Sequence, residues 1–451
     1  MKNLILTLIC PFLVVPCQAR VITVDDDGPA DFNNIQAGID DANDGDIILV
    51  KSGYYSPSTN NESFPIVLAA GVTLQGEGSN TTTIDGETTS IVIETADNSI
   101  ISGFTLTSLG YGEGTSIIEC ESSFVVIENN IITKYGIDCD YADNITIKNN
   151  TFTNYGIYFN YVDQITVREN RFDMINKHGT GVYLRYSTGN IINNIMHDGW
   201  DGISGYHGTA NITNNLIYDN MYGILLGYGC SAIIANNNIM RSVRMGVKTQ
   251  SAVQIKNNII TESGDKAVYC SEGGTNSSVS YSDFWNNNIN FYNCPDAHDN
   301  IFVDPCFVDP CSGDYHLKSE GWRWDTQRKV WTWDDVTSRC IDAGNLGSSV
   351  GEELLSVPYD PNNEWGQNLR INMGAYGGTA EASMPPYNWA LLADLTNDGT
   401  VNFEDYAAQA IDWLESESEQ PSDLNRDGTV DIADLALLTE DWLEQTIWYV
   451  P

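Results

Sequence analysis

Two stretches near the C-terminal end carry oxygen-bearing side chains at spacings suited to a hard cation. One holds Asp394, Thr396, Asp398, Thr400, Asn402 and Asp405; the other, 29 residues later, holds Asp423, Asn425, Asp427, Thr429, Asp431 and Asp434. Each spans twelve residues. Side-chain oxygens at the first, third, fifth, ninth and twelfth positions, a main-chain carbonyl at the seventh and a glycine at the sixth (Gly399, Gly428) together describe a calcium loop. From Leu391 onward 15 acids face one base, Arg426, a net charge of −14 that repels itself unless a divalent cation is bound. An amphipathic helix is expected after each loop, ending at Trp413-Leu414 and Trp442-Leu443.

A second set of residues has chemistry only if the middle of the chain folds in register. Arg185 and Lys248 are suited to neutralising a carboxylate on an acidic polymer. A basic group such as His207, or a tyrosine, would then remove a ring proton in β-elimination. For a neutral glycan the available acids are Asp138, Asp140, Asp198 and Asp201, and hydrolysis asks for two carboxyl groups roughly 5 to 9.5 Å apart. The catalytic candidates are therefore Arg185, His207, Lys248 and Asp201. Asp138, Asp140, Tyr158, Asn160, Tyr183, Tyr206 and Gln250 are the candidates for holding substrate, with the tyrosine faces expected to stack on sugar rings.

What would bring these residues together is a repeat. The pattern apolar, any, Asn, Asn, any, apolar recurs from Ile127 to Ile260, with its second Asn at 130, 150, 170, 194, 215, 237 and 258, steps of 20 to 24 residues. A variant at Val167 to Phe172 has Glu169 in the first Asn position. Gly136, Gly156, Gly181, Gly202, Gly223 and Gly246, each followed by Ile or Val, keep the same period, and Ala267-Val268 is the last copy. Short β-branched alternation broken by Asn and Gly excludes a helical repeat and predicts coils of short parallel strands. Stacked at about 4.8 Å, such coils put equivalent side chains above one another. Residues one and three after each Gly then point inward, and those two and four after it point outward. The outward columns are Asp138, Tyr158, Tyr183, Ser204, Leu225, Lys248, Tyr269, and Asp140, Asn160, Arg185, Tyr206, Gly227, Gln250, Ser271. Arg185 and His207 fall in adjacent coils.

This pattern resembles the right-handed parallel β-helix superfamily of pectate lyases, polygalacturonases and related polysaccharide enzymes. The resemblance covers about residues 20 to 300. It implies an all-β solenoid with an N-terminal capping helix near Asp31, Phe32, Ile35 and Ile39, and activity on a polysaccharide as a lyase or glycoside hydrolase. A non-catalytic β-helix that binds glycan, or forms part of a surface assembly, is the alternative. The chain lacks the pectate lyase Arg-x-Pro-x-x-Arg pattern and the polygalacturonase paired Asp, Gly-His-Gly and Arg-Ile-Lys set. Arg244 to Lys248 only loosely echoes the last of these.

The acidic tail, residues 391–446, is similar to type I dockerins, small α-helical modules with two calcium loops that attach polysaccharide-degrading enzymes to cohesin partners. That resemblance implies bound Ca2+ and a cohesin-like partner. The twelfth loop residue is Asp, as in dockerins. Phe403-Glu404 and Ile432-Ala433 stand where many dockerins carry small hydroxyl residues for partner contact, so cohesin specificity does not carry over. Residues 301–378, with a hairpin expected between Trp322-Trp324 and Trp331-Trp333, are expected to close the C-terminal end of the stack. Residues 379–390, which include Pro385-Pro386, read as a linker.

The whole chain bounds these readings. Across 451 residues it has 61 acids and 21 Lys plus Arg, a net charge of −40, which excludes a general nucleic-acid binder. Lys2, the apolar run Leu4 to Val15 and Cys17-Gln18-Ala19 predict an export signal over residues 1–19. Pro16 disfavours a lipoprotein cut before Cys17. No later segment has the ~18 uninterrupted apolar residues needed to span a bilayer, so the expectation is a secreted protein without a membrane span. Without the signal eight of the 10 cysteines remain. Cys294, Cys306, Cys311 and Cys340 are expected to pair among themselves, and Cys139 and Cys270 to be buried apolar groups.

Overall fold

The computed structural model describes residues 19–110, 116–174, 179–353, 368–386, 389–415, 420–425 and 427–446. The signal stretch through residue 18 and Arg426 lie outside the described residues. A regular coil consists of three short strands, as in Thr146–Lys148, Thr151–Thr153 and Ile157–Asn160. Stacking gives a first sheet of 13 strands and second and third sheets of 11 each, a right-handed parallel β-solenoid. Register is residue for residue: Ile147 faces Val167, Phe152 faces Phe172, and Phe159 faces Leu184. Like side chains therefore stack in the interior, and the Phe152 and Phe172 rings lie parallel at 4.7 Å.

The paired asparagines divide two tasks. The first of each pair takes the left-handed backbone that turns the first sheet into the second. Asn129, Asn149, Asn193, Asn214, Asn236 and Asn257 have φ between 54° and 58° across the set, and Glu169 does the same at 57°. The second is buried and forms a ladder. Asn194 Oδ1 accepts from the Asn170 main-chain N at 3.0 Å, and Asn194 Nδ2 donates to Asn215 Oδ1 at 3.0 Å and to Val167 O at 2.9 Å. The same pattern runs from Asn130 to Asn258 and passes to Ser282 and Asn300. Asn194→Ala strands the Asn170 N–H in a dry interior. It is expected to cost about 2 to 3 kcal/mol in a urea titration, whereas Asn193→Gly should cost under about 1 kcal/mol. Equal losses would remove the ladder's structural role.

The N-terminal helix is Ile35–Asp40, with Ile35 and Ile39 buried over the first coils. Its cap is Asn34, whose Oδ1 accepts from Ala37 N at 2.8 Å, and not Asp31. Asp31 instead accepts from both Thr23 N and Thr23 Oγ1, because Phe32 bridges to Val24 and keeps the chain extended for longer. The buried Glu62 carboxylate reaches over to accept from the N–H groups of Ile35 and Gln36.

Three expectations are corrected. Cys270 pairs with Cys294 in a disulfide, while Cys306, Cys311 and Cys340 are free thiols and Cys139 is buried. Stacking brings residues one coil apart to a Cα separation of 5.4 Å here, within bridging range, which sequence clustering does not reveal. Second, the segment after residue 300 meets the last coil at its start, where Ile301 bridges Asp283 and Val303 N donates to Asp283 Oδ1. Phe302 sits against Phe284 and Phe291 at the last coil, but the chain then runs back along the outer face of the second sheet. There Tyr315 and Ala375 pack on Leu216 and Met240, and the left-handed asparagines hold the segment. Asn214 Nδ2 donates to Ala375 O and Gly377 O, and Asn236 Nδ2 to Asn372 O. The tryptophan hairpin forms as expected, with Trp324 opposite Trp331. Third, the described part of 379–390 is packed. Met384 and Trp389 are buried, and Trp389 Nε1 donates to Ile341 O at 3.1 Å. Its apolar side chains find a surface to cover.

The tail holds two helices, Phe403–Ile411 and Ile432–Glu440, each closed by a capping box in which Asn402 pairs with Asp405 and Asp431 with Asp434. The halves exchange matching main-chain bonds: Leu443 N to Val401 O, and Leu414 N to Val430 O. Leu346 of the body joins Leu395, Val401, Leu424 and Leu438 in their common core.

Candidate functional site

The outward columns lie in register on the third sheet. Asp138, Tyr158, Tyr183, Ser204, Leu225, Lys248 and Tyr269 face one another in turn, and Asp140, Asn160, Arg185 and Tyr206 run beside them. A third outward column, one residue before each glycine, escaped the sequence reading: Thr180, Asp201, Tyr222, Met245 and Lys266. Counting back from the glycine as well as forward would have found it. The glycine stands at the kink between second and third sheets, where a Cβ on Gly156 would meet the Gly181 main chain and one on Gly202 the Ile217 side chain. The residue before it is thereby turned outward.

The face is graded in charge. At its N-terminal end Glu94, Glu119 and Asp138 share one register column, with Asp140 close by. Burial, reinforced by Asp140 and Glu119, pushes the Asp138 carboxyl up to about 6. Asp140 accepts from Asn160 Nδ2 at 2.7 Å. Arg185 leans toward this end, bonding the Tyr158 hydroxyl and approaching Asn160 Oδ1, with its Cζ 5.5 Å from the Tyr186 ring.

The tyrosines do something the sequence reading did not foresee. Tyr158 and Tyr183 lie parallel at 5.1 Å, and Tyr141, Tyr161, Tyr186 and His207 form a continuous stack at 5.1, 4.7 and 5.0 Å. Their faces are used on one another, so the ladder presents ring edges and hydroxyls outward. For Tyr158 and Tyr183 the facing sides are taken up by each other, because coil spacing nearly equals ring-stacking distance. Tyr206 stands edge-on to His207 at 4.5 Å and is exposed, while Gln250 is exposed further along. Trp200, 47% exposed, makes no ring contact among the described residues and keeps a free face beside Asp201.

Toward the C-terminal end the face becomes cationic. Arg244 Nη1 donates to the Tyr222 hydroxyl at 2.8 Å, and Arg244 Cζ and Lys248 Nζ stand 5.6 and 5.9 Å from the Tyr222 ring centre. Among the described residues, Arg185, Arg244 and Lys248 have no carboxylate ion pair, whereas Lys266 is held by Asp265 at 2.7 Å. Asp201 sits in the coil before Tyr222, at the same register position. It is 7% exposed, and its Oδ1 finds no hydrogen-bond partner among the described residues. Burial pushes this carboxyl up to about 6 against the pull of Ser204 and Lys248. Asp198 belongs elsewhere: its carboxylate is 2.9 Å from His197 Nδ1, in a cluster with Asp173 and Arg171 on the second sheet. The structure thus groups Asp201 with Lys248, Arg244 and Tyr222, and Arg185 with Tyr158 and Asn160. His207 terminates the aromatic stack.

The described cavities lie away from the third sheet. Cavities of about 330 and 360 Å³ lie on the second-sheet side, the first lined by Arg241, Trp285 and Lys318 and the second by Asn214, Ala375 and Tyr376. Among the described residues the outward columns form a long track, which fits a polymer better than a small molecule.

In the tail the two acidic loops repeat one internal pattern. Asp394 accepts from the N–H groups of Asp398 and Gly399, and Asp423 from those of Asp427 and Gly428. The sixth-position glycines have φ of 89° and 94°, as the loop turn requires. Asp405 and Asp434 turn their oxygens onto loop N–H groups, Asn402 and Asp431 cap the helices, and Thr396, Asn425, Asp398, Asp427, Thr400 and Thr429 keep the expected loop positions. The all-oxygen donor set and the glycine geometry fit a hard cation. Among the described residues, though, the one acidic trio whose oxygens converge within 4.8 Å is Asp25, Asp26 and Asp27.

The family model described as right handed beta helix region matches residues 89–239 and 155–307 in two overlapping passes. No curated protein matches the chain. Among solved structures, pectate lyase Pel9A is 15% identical over 79% of this chain and 96% of its own, with a TM-score of 0.46. An exopolygalacturonase from Thermotoga maritima is 13% identical over 57% and 84%, with a TM-score of 0.42. The catalytic unit of a GH87 alpha-1,3-glucanase from Streptomyces thermodiastaticus is 15% identical over 60% of this chain, with a TM-score of 0.39, and the chain spans 62% of that glucanase chain.

Proposed function

From the premise that residues 89–307 form a right-handed β-helix region, we propose that the chain is an exported enzyme that cleaves an anionic polysaccharide along its third sheet by β-elimination. One observation carries this reading: in a chain of net charge −40, three cations without a carboxylate partner among the described residues share one face with the buried, poorly solvated carboxyl of Asp201. Arg244 and Lys248 meet the polymer's carboxylates and stabilise the charge that builds up when a ring proton leaves. Asp201, its carboxyl lifted to about 6, takes that proton near neutral pH; the electron pair left on the ring forms the C=C bond as the glycosidic C–O bond β to it breaks, and the departing oxygen takes a proton from water. Arg185 and the tyrosine hydroxyls hold flanking units, and Trp200 offers its face to one ring.

A second reading rests on the other end of the face. Asp138, lifted to about 6 beside Asp140 and Glu119, offers an acid and a carboxylate neighbour for hydrolysis. Pectin, alginate, glycosaminoglycan and neutral glycans, each incubated with the protein, separate these outcomes. New ultraviolet-absorbing unsaturated ends on acidic polymers are expected. Reducing ends without that absorbance would mean hydrolysis, and retention without cleavage would mean a binding protein.

For the tail, the same proposal takes the two loops as calcium sites. Asp394, Thr396, Asp398, Thr400, Asn402 and Asp405 would hold one ion, and Asp423, Asn425, Asp427, Thr429, Asp431 and Asp434 the other. Bound calcium supplies charge neutralisation that keeps the acidic segment folded. Phe403, Ile411, Leu414, Ile432 and Leu443 are exposed on the tail and offer apolar area to a cohesin-like partner.

A further inference from the structure

The two loops are near copies in sequence, yet they differ in surroundings. Arg370, 1% exposed, donates from Nη1 to the main-chain carbonyl of Asp394 at 2.7 Å and from Nε to Gly344 O at 3.0 Å. Asn397 Nδ2 donates to Ala343 O at 2.6 Å, and the Tyr281 hydroxyl reaches Leu395 O at 3.4 Å. The first, second and fourth residues of the first loop are thus fixed by the β-helix body. The second loop has no equivalent among the described residues: at the first, third and sixth positions Asp394 is buried, Thr396 half-buried and Gly399 buried in the first loop, whereas Asp423 is half-buried and Asn425 and Gly428 are exposed in the second.

We propose that Arg370 and Ala343 make the body part of the first cation loop, so that calcium uptake there is coupled to docking of the tail while the second loop binds calcium independently. This rests on reading the loops as calcium sites. Binding must otherwise order the loop backbone, and here the body has ordered three of its residues beforehand. Reciprocity follows: if docking strengthens calcium binding at the first loop, calcium there strengthens docking by the same factor. The Arg370 charge opposes cation binding through space, so the proposal requires preorganisation to outweigh that repulsion.

Calorimetric titration of the full chain with CaCl2 provides the test, with limited proteolysis between the body and the tail as a second readout. The wild type is expected to show two unequal sites. Asn397→Gly removes the bond to Ala343 without straining a backbone whose φ is 59°, and it buries no charge. It is expected to weaken one site about tenfold and leave the other within about twofold, while calcium protection of the tail from protease falls in step. Arg370→Met should act in the same direction. Two equal sites, an unchanged titration in both variants, or a tighter first site in Arg370→Met would overturn the coupling. Absence of calcium uptake by the wild type would overturn the calcium reading itself and the coupling with it.

Discussion

Asp201→Asn is expected to lower turnover of an anionic polysaccharide by about 10² to 10⁴-fold while making the fold more stable at neutral pH. Both effects come from one carboxyl with 7% exposure and an Oδ1 that has no hydrogen-bond partner among the described residues. Its value of about 6 in the fold, against the ordinary 3.8, means the native state holds a proton between those limits that the unfolded chain has released. Native stability therefore falls as pH rises from about 4 to about 6, and the ionised group then costs up to about 3 kcal/mol. Asparagine removes that charge, so the variant should lose this slope and gain stability above pH 6, with the gain read from urea midpoints at pH 4 and 7. The wild-type rate should rise as pH passes about 6 if Asp201 accepts the proton. A rate that falls over the same range would make it a general acid and favour hydrolysis. Full activity in the variant would move the chemistry off this face.

Chelation is the other large effect. Removing divalent cations is expected to melt the helices Phe403–Ile411 and Ile432–Glu440 while the sheets survive. With calcium at a thousandfold excess over its dissociation constant, each site contributes about 4 kcal/mol that a chelator takes away. Circular dichroism should lose helical signal and keep the β signature, and the calcium form should show an additional melting transition. Two transitions that both ignore the chelator would leave the acidic loops without a metal role.

The period of Asn and Gly was enough to predict the coils, because a solenoid repeats its local rules and each rule is visible in a few residues. Asn193 and Asn194 illustrate this: one tolerates a left-handed turn, the other fits a buried ladder, and both are chosen by the chain within its own coil. The outward columns followed from alternation alone. What stayed hidden depends on contacts across the stack or on the return of the chain. The position of Asp201 needs the kink at Gly202, the Cys270–Cys294 bridge needs the coil spacing, and the role of Arg370 needs the C-terminal segment to double back. The stacking of Tyr158 on Tyr183 and of Tyr161 on Tyr186 also needs the coil spacing, because each partner lies one coil away.

The asparagine ladder also fixes the step by which such a protein changes size. Each rung accepts from the rung before it and donates to the rung after, from Asn130 to Asn258, so removing part of a turn breaks the series, whereas removing a whole turn rejoins it. Length is quantised: loss or duplication of a complete 20 to 24 residue unit shortens or extends the surface by one row and leaves every remaining row aligned.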